Sequence, residues 1–308
     1  MRFTGRRLWL LAAMGIGLLI PGPGCAVPSE RQSLESGGHE RTWRLYVPPN
    51  LPQDRPVPLV VAFHGSGSSG RGMENFSKFD PVADREGFIV LYPDGLWNNW
   101  NDGRASEDIR AQKEHIDDGA FIEALIAEVS AHHRIDGKRI YATGMSNGGF
   151  FVHYLGHRLP HTFAAIAPVA GGMAPLVADN FGAGDPVAVM IVQGTDDPLV
   201  PYSGGDVARG RGRMVSTVQA AELWAKRNGC ATAPVEEKEP DTDPADGCRV
   251  VRKTWAGPAP VVLRTIHGGG HTWPGGSQYM PRILIGEVCR DFDATEEIWA
   301  FFQEYPKP

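Results

Sequence analysis

Gly144-Met145-Ser146-Asn147-Gly148 sets a serine at the centre of a G-x-S-x-G pentapeptide. The apolar run Arg139 to Thr143 precedes it and the helix-compatible stretch Phe150 to Leu159 follows. Strand, sharp turn and helix in that order expose a nucleophilic hydroxyl at the apex, with glycine on either side where strand and helix crowd the turn. A serine hydroxyl is a weak nucleophile near neutral pH, so it needs a base, and the base needs an orienting acid. Gly194-Thr195-Asp196-Asp197-Pro198-Leu199-Val200-Pro201 follows the apolar run Val187 to Val192 and offers the acid. Asp197 is the candidate acid, with Asp196 as a turn-forming rival. Gly268-Gly269-Gly270-His271-Thr272-Trp273-Pro274-Gly275 offers the base. His271 sits on a glycine-rich loop that lets its ring reach Ser146, whereas His267 stands at a strand end.

Acyl transfer also needs backbone N–H groups aimed at the developing oxyanion. Asn147, directly after the serine, supplies one. The loop His64-Gly65-Ser66-Gly67 after the apolar run Pro58 to Phe63 supplies the other, with Ser66 preferred and Gly67 second. His64 is expected to hold the loop's shape. Gly65 to Gly70 also reads formally as G-x-G-x-x-G after a strand, a dinucleotide signature. The polar, irregular composition of Arg71 to Lys78 speaks against the helix that such a motif requires. Trp100 and Trp273 are candidate walls for a substrate ring.

The elements that must position these residues alternate. Arg41 to Val47, Pro58 to Phe63, Phe88 to Tyr92, Arg139 to Thr143, Phe163 to Val169, Val187 to Val192, Val250 to Trp255 and Val261 to Ile266 read as strands. Helices are expected from Asp117 or Asp118 to Arg134, over Met214 to Arg227 and over Asp293 to Gln303. Interleaving of this kind gives a mainly parallel sheet covered on both faces. The order serine, acid, histidine along such a sheet is that of an α/β-hydrolase. The whole of residues 39–308 reads as one such domain. The chain has 308 residues, is 42% hydrophobic and carries a formal net charge of −6, a balance that argues against a nucleic-acid partner.

The first 25 residues have the pattern of an export signal: Arg2, Arg6 and Arg7, then an apolar stretch from Leu8 to Ile20. Cys25 after small residues is similar to a lipoprotein site, which would anchor the chain to a membrane through lipid. The alternative is simple secretion, extracellular or periplasmic. Residues 26–38 read as a flexible tether. Export permits disulfides, and Cys230 with Cys248 is the expected pair, bracketing a polar loop; it would stabilise the fold by roughly 3 kcal/mol. Cys289 is then left unpaired and buried. No metal-ligand spacing occurs, and Asp241, Asp243 and Asp246 read as a solvated acidic loop.

With these residues in place the chain resembles the exported polyhydroxybutyrate depolymerase-like esterases, which merge with the feruloyl and acetyl-xylan esterases of carbohydrate esterase family one. The likeness runs from about Glu40 to Tyr305. Besides the three motifs above it rests on His64-Gly65, Tyr92-Pro93-Asp94-Gly95, Trp100-Asn101-Asp102 and Asp117-Asp118. It implies Ser146 as nucleophile, His271 as general base then acid, Asp197 as its orienting carboxylate, and no cofactor. Ser66 stands where many relatives place cysteine, which affects the acyl pocket more than catalysis. No appended polymer-binding module is visible, which favours soluble esters or polysaccharide side chains. The other readings are a peptidase on the same fold and a hydrolase fold that binds without catalysis.

Overall fold

The structure, a computed structural model, describes residues 29–308; the proposed leader and Cys25 lie outside the described residues. The strands are β1 Glu30–Ser36, β2 His39–Tyr46, β3 Val57–Phe63, β4 Ile89–Pro93, β5 Ile135–Met145 and β6 Ala165–Val169. They continue with β7 Ala188–Gly194, β8 Gly205–Asp206, β9 Arg213–Met214, β10 Val235–Lys238, β11 Arg249–Trp255 and β12 Val261–His267. The helices are α1 Gly70–Ser77, α2 Phe79–Glu86, α3 Arg110–Lys113, α4 Asp118–His132 and α5 Asn147–Arg158. After them come α6 Pro175–Asp179, α7 Thr217–Arg227, α8 Arg282–Ile285 and α9 Ala294–Glu304.

A ten-stranded sheet in the order β1-β2-β4-β3-β5-β6-β7-β12-β11-β10 forms the middle layer. The run from β4 to β12 is parallel, and the outer strands on both sides are antiparallel. β3, β4, β6 and β7 are buried at every position, which explains their unbroken apolar sequences: a parallel strand with helices on both faces has no wet side. Successive side chains still alternate. Leu59, Val61 and Phe63 pack with Phe121, Leu125, Phe151 and Trp224 from α4, α5 and α7. Val60 and Ala62 pack on the opposite face with Phe79, Val82, Ile298 and Phe302 from α2 and α9. Among the described residues no helix is long and apolar enough to cross a membrane. This is an α/β-hydrolase fold.

Two expectations are corrected. Residues 30–36 are not tether: β1 pairs antiparallel with β2 from Glu30↔Leu45 to Ser36↔His39 through a turn at Gly37 and Gly38 (φ 59° and 76°), the positive-φ pair that a tight hairpin favours. Its residues are largely exposed and only Leu34 packs on the core, so this edge strand joins mainly through its backbone and leaves little apolar signal. Residues 70–77 are also not irregular. α1 is capped by Ser69, whose hydroxyl accepts from Gly72 N–H at 3.2 Å, and it buries Met73 and Ser77.

Candidate active site

Ser146 takes φ 57° and ψ −121°, a strained conformation for a residue with a side chain. Its N–H donates to the Val169 carbonyl at 3.0 Å, and its own carbonyl accepts from Phe150 N–H at 2.9 Å. The flanking glycines are steric requirements: a Cβ on Gly144 would lie 2.8 Å from the Gly148 and Phe63 carbonyl oxygens, and one on Gly148 2.3 Å from the Phe63 oxygen. β5 therefore runs into α5 through a turn that only this pattern permits.

Asp197 follows β7 and is 6% exposed. Oδ1 accepts from the N–H groups of Leu199 and Val200, both at 2.8 Å, and Oδ2 accepts from Gln193 Nε2 at 3.1 Å. The same Oδ2 lies 2.8 Å from His271 Nδ1. Four polar partners hold the carboxylate in place, and its contact with Nδ1 fixes the Nδ1–H tautomer and leaves Nε2 with its lone pair. Asp196 is exposed and accepts from its neighbour Thr195 Oγ1 at 2.7 Å, and His267 is exposed at the end of β12; neither rival joins this pair.

His271 is 3% exposed. Its N–H donates to the Ile285 carbonyl at 2.5 Å, and its carbonyl accepts from Tyr279 Oη at 2.9 Å. The preceding glycines serve close packing rather than freedom to swing: a Cβ on Gly270 would lie 2.2 Å from the Ile285 oxygen. Ser146 and His271 both line a cleft of about 380 Å³. Ser146 Oγ makes no hydrogen bond within the described residues and faces the cleft.

The loop after β3 forms the adjoining wall. A Cβ on Gly65 would lie 3.3 Å from Ser146 Cβ, so this loop runs directly beside Ser146. Gly67 N–H is spent on the Asn98 carbonyl (2.8 Å) and Ser68 N–H on that of Gly65 (3.1 Å), whereas Ser66 N–H makes no hydrogen bond within the described residues. Ser66 Oγ donates to Asn99 Oδ1 at 2.6 Å. His64 Nε2 accepts from Gly95 N–H at 3.0 Å, so its proton is on Nδ1, 2.8 Å from the Gly65 carbonyl. Burial lowers its pKa and keeps it neutral. It is a loop fastener, as its position suggested.

Three further expectations fail. Trp100 is fully buried, donates through Nε1 to the His64 carbonyl at 3.0 Å and stacks on Phe151 at 4.9 Å. Trp273 is 1% exposed and donates to Thr295 Oγ1 at 3.0 Å. Both indoles found buried partners and neither lines the cleft, so neither is a substrate wall. Cys230 and Cys248 are not bonded: the Cys230 thiol donates to the Ala259 carbonyl at 3.3 Å, and the Cys248 thiol lies beside those of Cys289 and the carboxylate of Asp246.

The structure also adds residues that the motifs did not reveal. Asn147 takes Trp100 N–H on its Oδ1 (2.8 Å) and donates from Nδ2 to Asp102 Oδ2 (2.6 Å), which ties the 95–104 loop to the elbow. Phe76, Tyr279, Met280, Leu284, Arg209 and Arg211 line the cleft. The apolar residues within 279–285, set in a segment too short and polar-flanked for a core element, were the available signal.

Residues 41–222 match the family described as Esterase PHB depolymerase. The chain is 33% identical over 275 residues to NocK of Nocardia uniformis subsp. tsuyamanensis, designated an esterase, covering 84% of this chain and 78% of that one. It is 30% identical over 233 residues to feruloyl esterase B of Piromyces equi, covering 73% of this chain and 41% of the relative. Among solved structures, acetyl xylan esterase from Aspergillus awamori superposes with a TM-score of 0.58 at 18% identity, covering 79% of this chain and 94% of that chain. The protein sOPH superposes with a TM-score of 0.56 at 18% identity, covering 93% and 90%. An elbow serine and a buried Asp–His pair on one rim, in a chain so matched, make this protein a member of the PHB depolymerase esterase family and a serine carboxylic-ester hydrolase.

Proposed function

We propose that Ser146, His271 and Asp197 are the triad of this esterase. The observation that carries the assignment is the 2.8 Å contact of His271 Nδ1 with a fully hydrogen-bonded Asp197, at the cleft that the strained Ser146 enters. His271 Nε2 takes the hydroxyl proton as Ser146 Oγ attacks the ester carbonyl. The N–H groups of Ser66 and Asn147 hold the oxyanion. The intermediate collapses when His271 returns the proton to the leaving alcohol, and an acyl-enzyme remains. Water, deprotonated by His271, releases the acid and frees Ser146. These steps need no cofactor.

The substrate class is feruloyl or acetyl esters of polysaccharide side chains, or short hydroxyalkanoate esters. The names of the relatives and the apolar rim of the cleft support this reading. Export, through residues 1–25 and with or without lipid on Cys25, accords with such extracellular esters. Turnover of methyl ferulate, acetylated xylan, short p-nitrophenyl esters and hydroxybutyrate oligomers, compared side by side, tests it. Hydrolysis of at least one of these classes, abolished in Ser146→Ala, is the expected result; turnover of amides alone would contradict it.

A further inference from the structure

The β8–β9 hairpin places Arg209 and Arg211 at the reaction centre. Both line the cleft, and both also border the narrow recess formed by Ser66, Ser146 and Asn147, the side on which an oxyanion would develop. The hairpin tip is fixed: Val207 N–H donates to the Gly212 carbonyl and Ala208 N–H to that of Leu199, each at 2.9 Å. Arg209 itself takes φ 62°. The neighbouring cations are neutralised within the fold, Arg213 by Asp206 at 3.3 Å and Arg104 by Asp102 at 2.7 Å. Arg209 and Arg211 make no ion pair with a described residue, and Asp108, which lies against Gly210, pairs with neither. Burial lowers the Arg211 pKa, and Arg209 and Arg104 lower it further, so positive charge accumulates here without a counter-charge. In a chain of net charge −6 that is a local reversal of sign at the nucleophile.

We propose that Arg209 and Arg211 form a carboxylate-binding subsite, so that preferred substrates carry a free carboxylate near the scissile ester. Planar guanidinium groups match a carboxylate in two-point hydrogen bonding. That carboxylate comes either from the free-acid end of a hydroxyacid oligomer or from a uronic acid next to the esterified sugar. The inference rests on the esterase reading of Ser146.

The test compares kcat/KM for a hydroxybutyrate dimer as free acid and as methyl ester, and for acetylated xylo-oligosaccharides with a free or a methyl-esterified uronic acid. The expected result is a preference of about tenfold for the free acid in one of the two pairs, which identifies the source. That ratio falls towards one in the Arg209→Gln/Arg211→Gln double variant, is partly restored with lysine at both positions, and shrinks at about 0.5 M salt. A ratio at or below one in both pairs, or one unchanged in the double variant, overturns the subsite. Failure of the unaltered enzyme on neutral p-nitrophenyl acetate as well would instead overturn the esterase reading.

A separate observation concerns the thiols. Cys248 directly precedes β11, Cys289 lies between α8 and α9 with its carbonyl accepting from Gly275 N–H of the His271 loop at 2.8 Å, and both thiols are fully buried. Their sulfur atoms and the Asp246 carboxylate lie within 4.8 Å of one another. The Asp246 oxygens already accept from the N–H groups of Cys248 (2.7 Å) and Arg290 (2.6 Å), so the carboxylate has partners without a metal. We infer that Cys248 and Cys289 join in a disulfide when the chain folds in an oxidising compartment. The two thiols give up two protons and two electrons to a protein or small-molecule disulfide, which is reduced to two thiols as the S–S bond forms. The bond would strap the His271 loop to the sheet. Protein purified without reductant from a periplasm should be about 2 Da lighter than its reduced form and yield a Cys248–Cys289 linked peptide, and its Tm should fall on reduction by several degrees. Alkylation of both thiols in denaturant without reductant, or stoichiometric zinc bound to reduced thiols, would overturn the bond.

Discussion

The inner and outer walls of the cleft differ in how they are held. On the inner wall, Ser146, Asp197, His271 and His64 are each fixed by backbone contacts or several hydrogen bonds, and Asp197 and His271 are almost wholly buried. On the outer wall, Tyr279, Met280 and Leu284 are 40%, 39% and 45% exposed, and Ile283 beside them is 90% exposed. The helix there, α8, has four residues. The proton transfer and oxyanion binding proposed for these residues depend on sub-ångström placement, which their position at the sheet's rim supplies. Selection among acyl and alcohol groups needs only contact area of the right character, and loops supply it. The contrast teaches that substitutions on the two walls should fail in different ways.

The largest effect is expected on the inner wall. His271→Ala should lower kcat by about 10⁴–10⁶, and adding Asp197→Asn should cost little more, because a triad acts as a unit. Asp197→Asn alone should lower kcat by about 10⁴ with the fold intact, through loss of the tautomer that Oδ2 enforces. Steady-state kinetics on a p-nitrophenyl ester with circular dichroism as control checks both; multiplicative losses would break the unit.

Next is the elbow. Gly148→Ala puts a Cβ 2.3 Å from the Phe63 carbonyl oxygen, and urea denaturation should show a loss above about 3 kcal/mol or no folded protein. Gly182→Ala, whose nearest neighbour would be 4.0 Å away, should stay within about 0.5 kcal/mol. Equal costs at the two sites would contradict the steric account.

The interior should also show itself in acid. His153 is buried, accepts from Trp224 Nε1 at 3.0 Å, and burial lowers its pKa from 6.5 to about 3. Between those values the unfolded chain binds the proton and the native state does not. Its contribution to stability is therefore complete above pH 6.5 and is lost as the pH falls towards 3. The loss should reach about 3 kcal/mol at pH 4. Urea midpoints at pH 7 and pH 4, in the natural protein and in His153→Phe, should show a dependence that shrinks in the variant; an equal dependence in both would assign it elsewhere.

The smallest effect belongs to the outer wall. Leu284→Ala should raise KM for medium-chain esters by about threefold to tenfold while stability stays within about 0.5 kcal/mol. A collapse of stability there would erase the contrast between the walls.

The inner wall was the legible part. Gly144 and Gly148 flank Ser146 at a turn where a Cβ on either glycine would collide with backbone. Asp197 follows a strand whose apolar run from Val187 to Val192 marks it as central, whereas the strand before His271 carries Arg264 and Thr265. The outer wall was obscure because exposed loop residues obey no periodicity: the apolar residues within 279–285 mark a segment that is not core, but neither they nor Arg209 state that the chain will fold them over Ser146. Trp100 and Trp273 misled because indoles in polar loops suit either a ligand or a buried hydrogen bond, and only tertiary packing decides. The Cys230–Cys248 pairing failed for the same reason: sequence separation does not state which sulfur lies across from which. Glu30–Ser36 joins the sheet mainly through its backbone, with Leu34 its one apolar side chain packed on the core, which leaves little side-chain trace.

The most direct test is to treat the protein with a fluorophosphonate and locate the adduct by peptide mass spectrometry. One label per chain, on Ser146, with neither labelling nor ester turnover in Ser146→Ala, is the predicted result. Full turnover of p-nitrophenyl acetate by Ser146→Ala, or an adduct on another residue, would contradict the assignment.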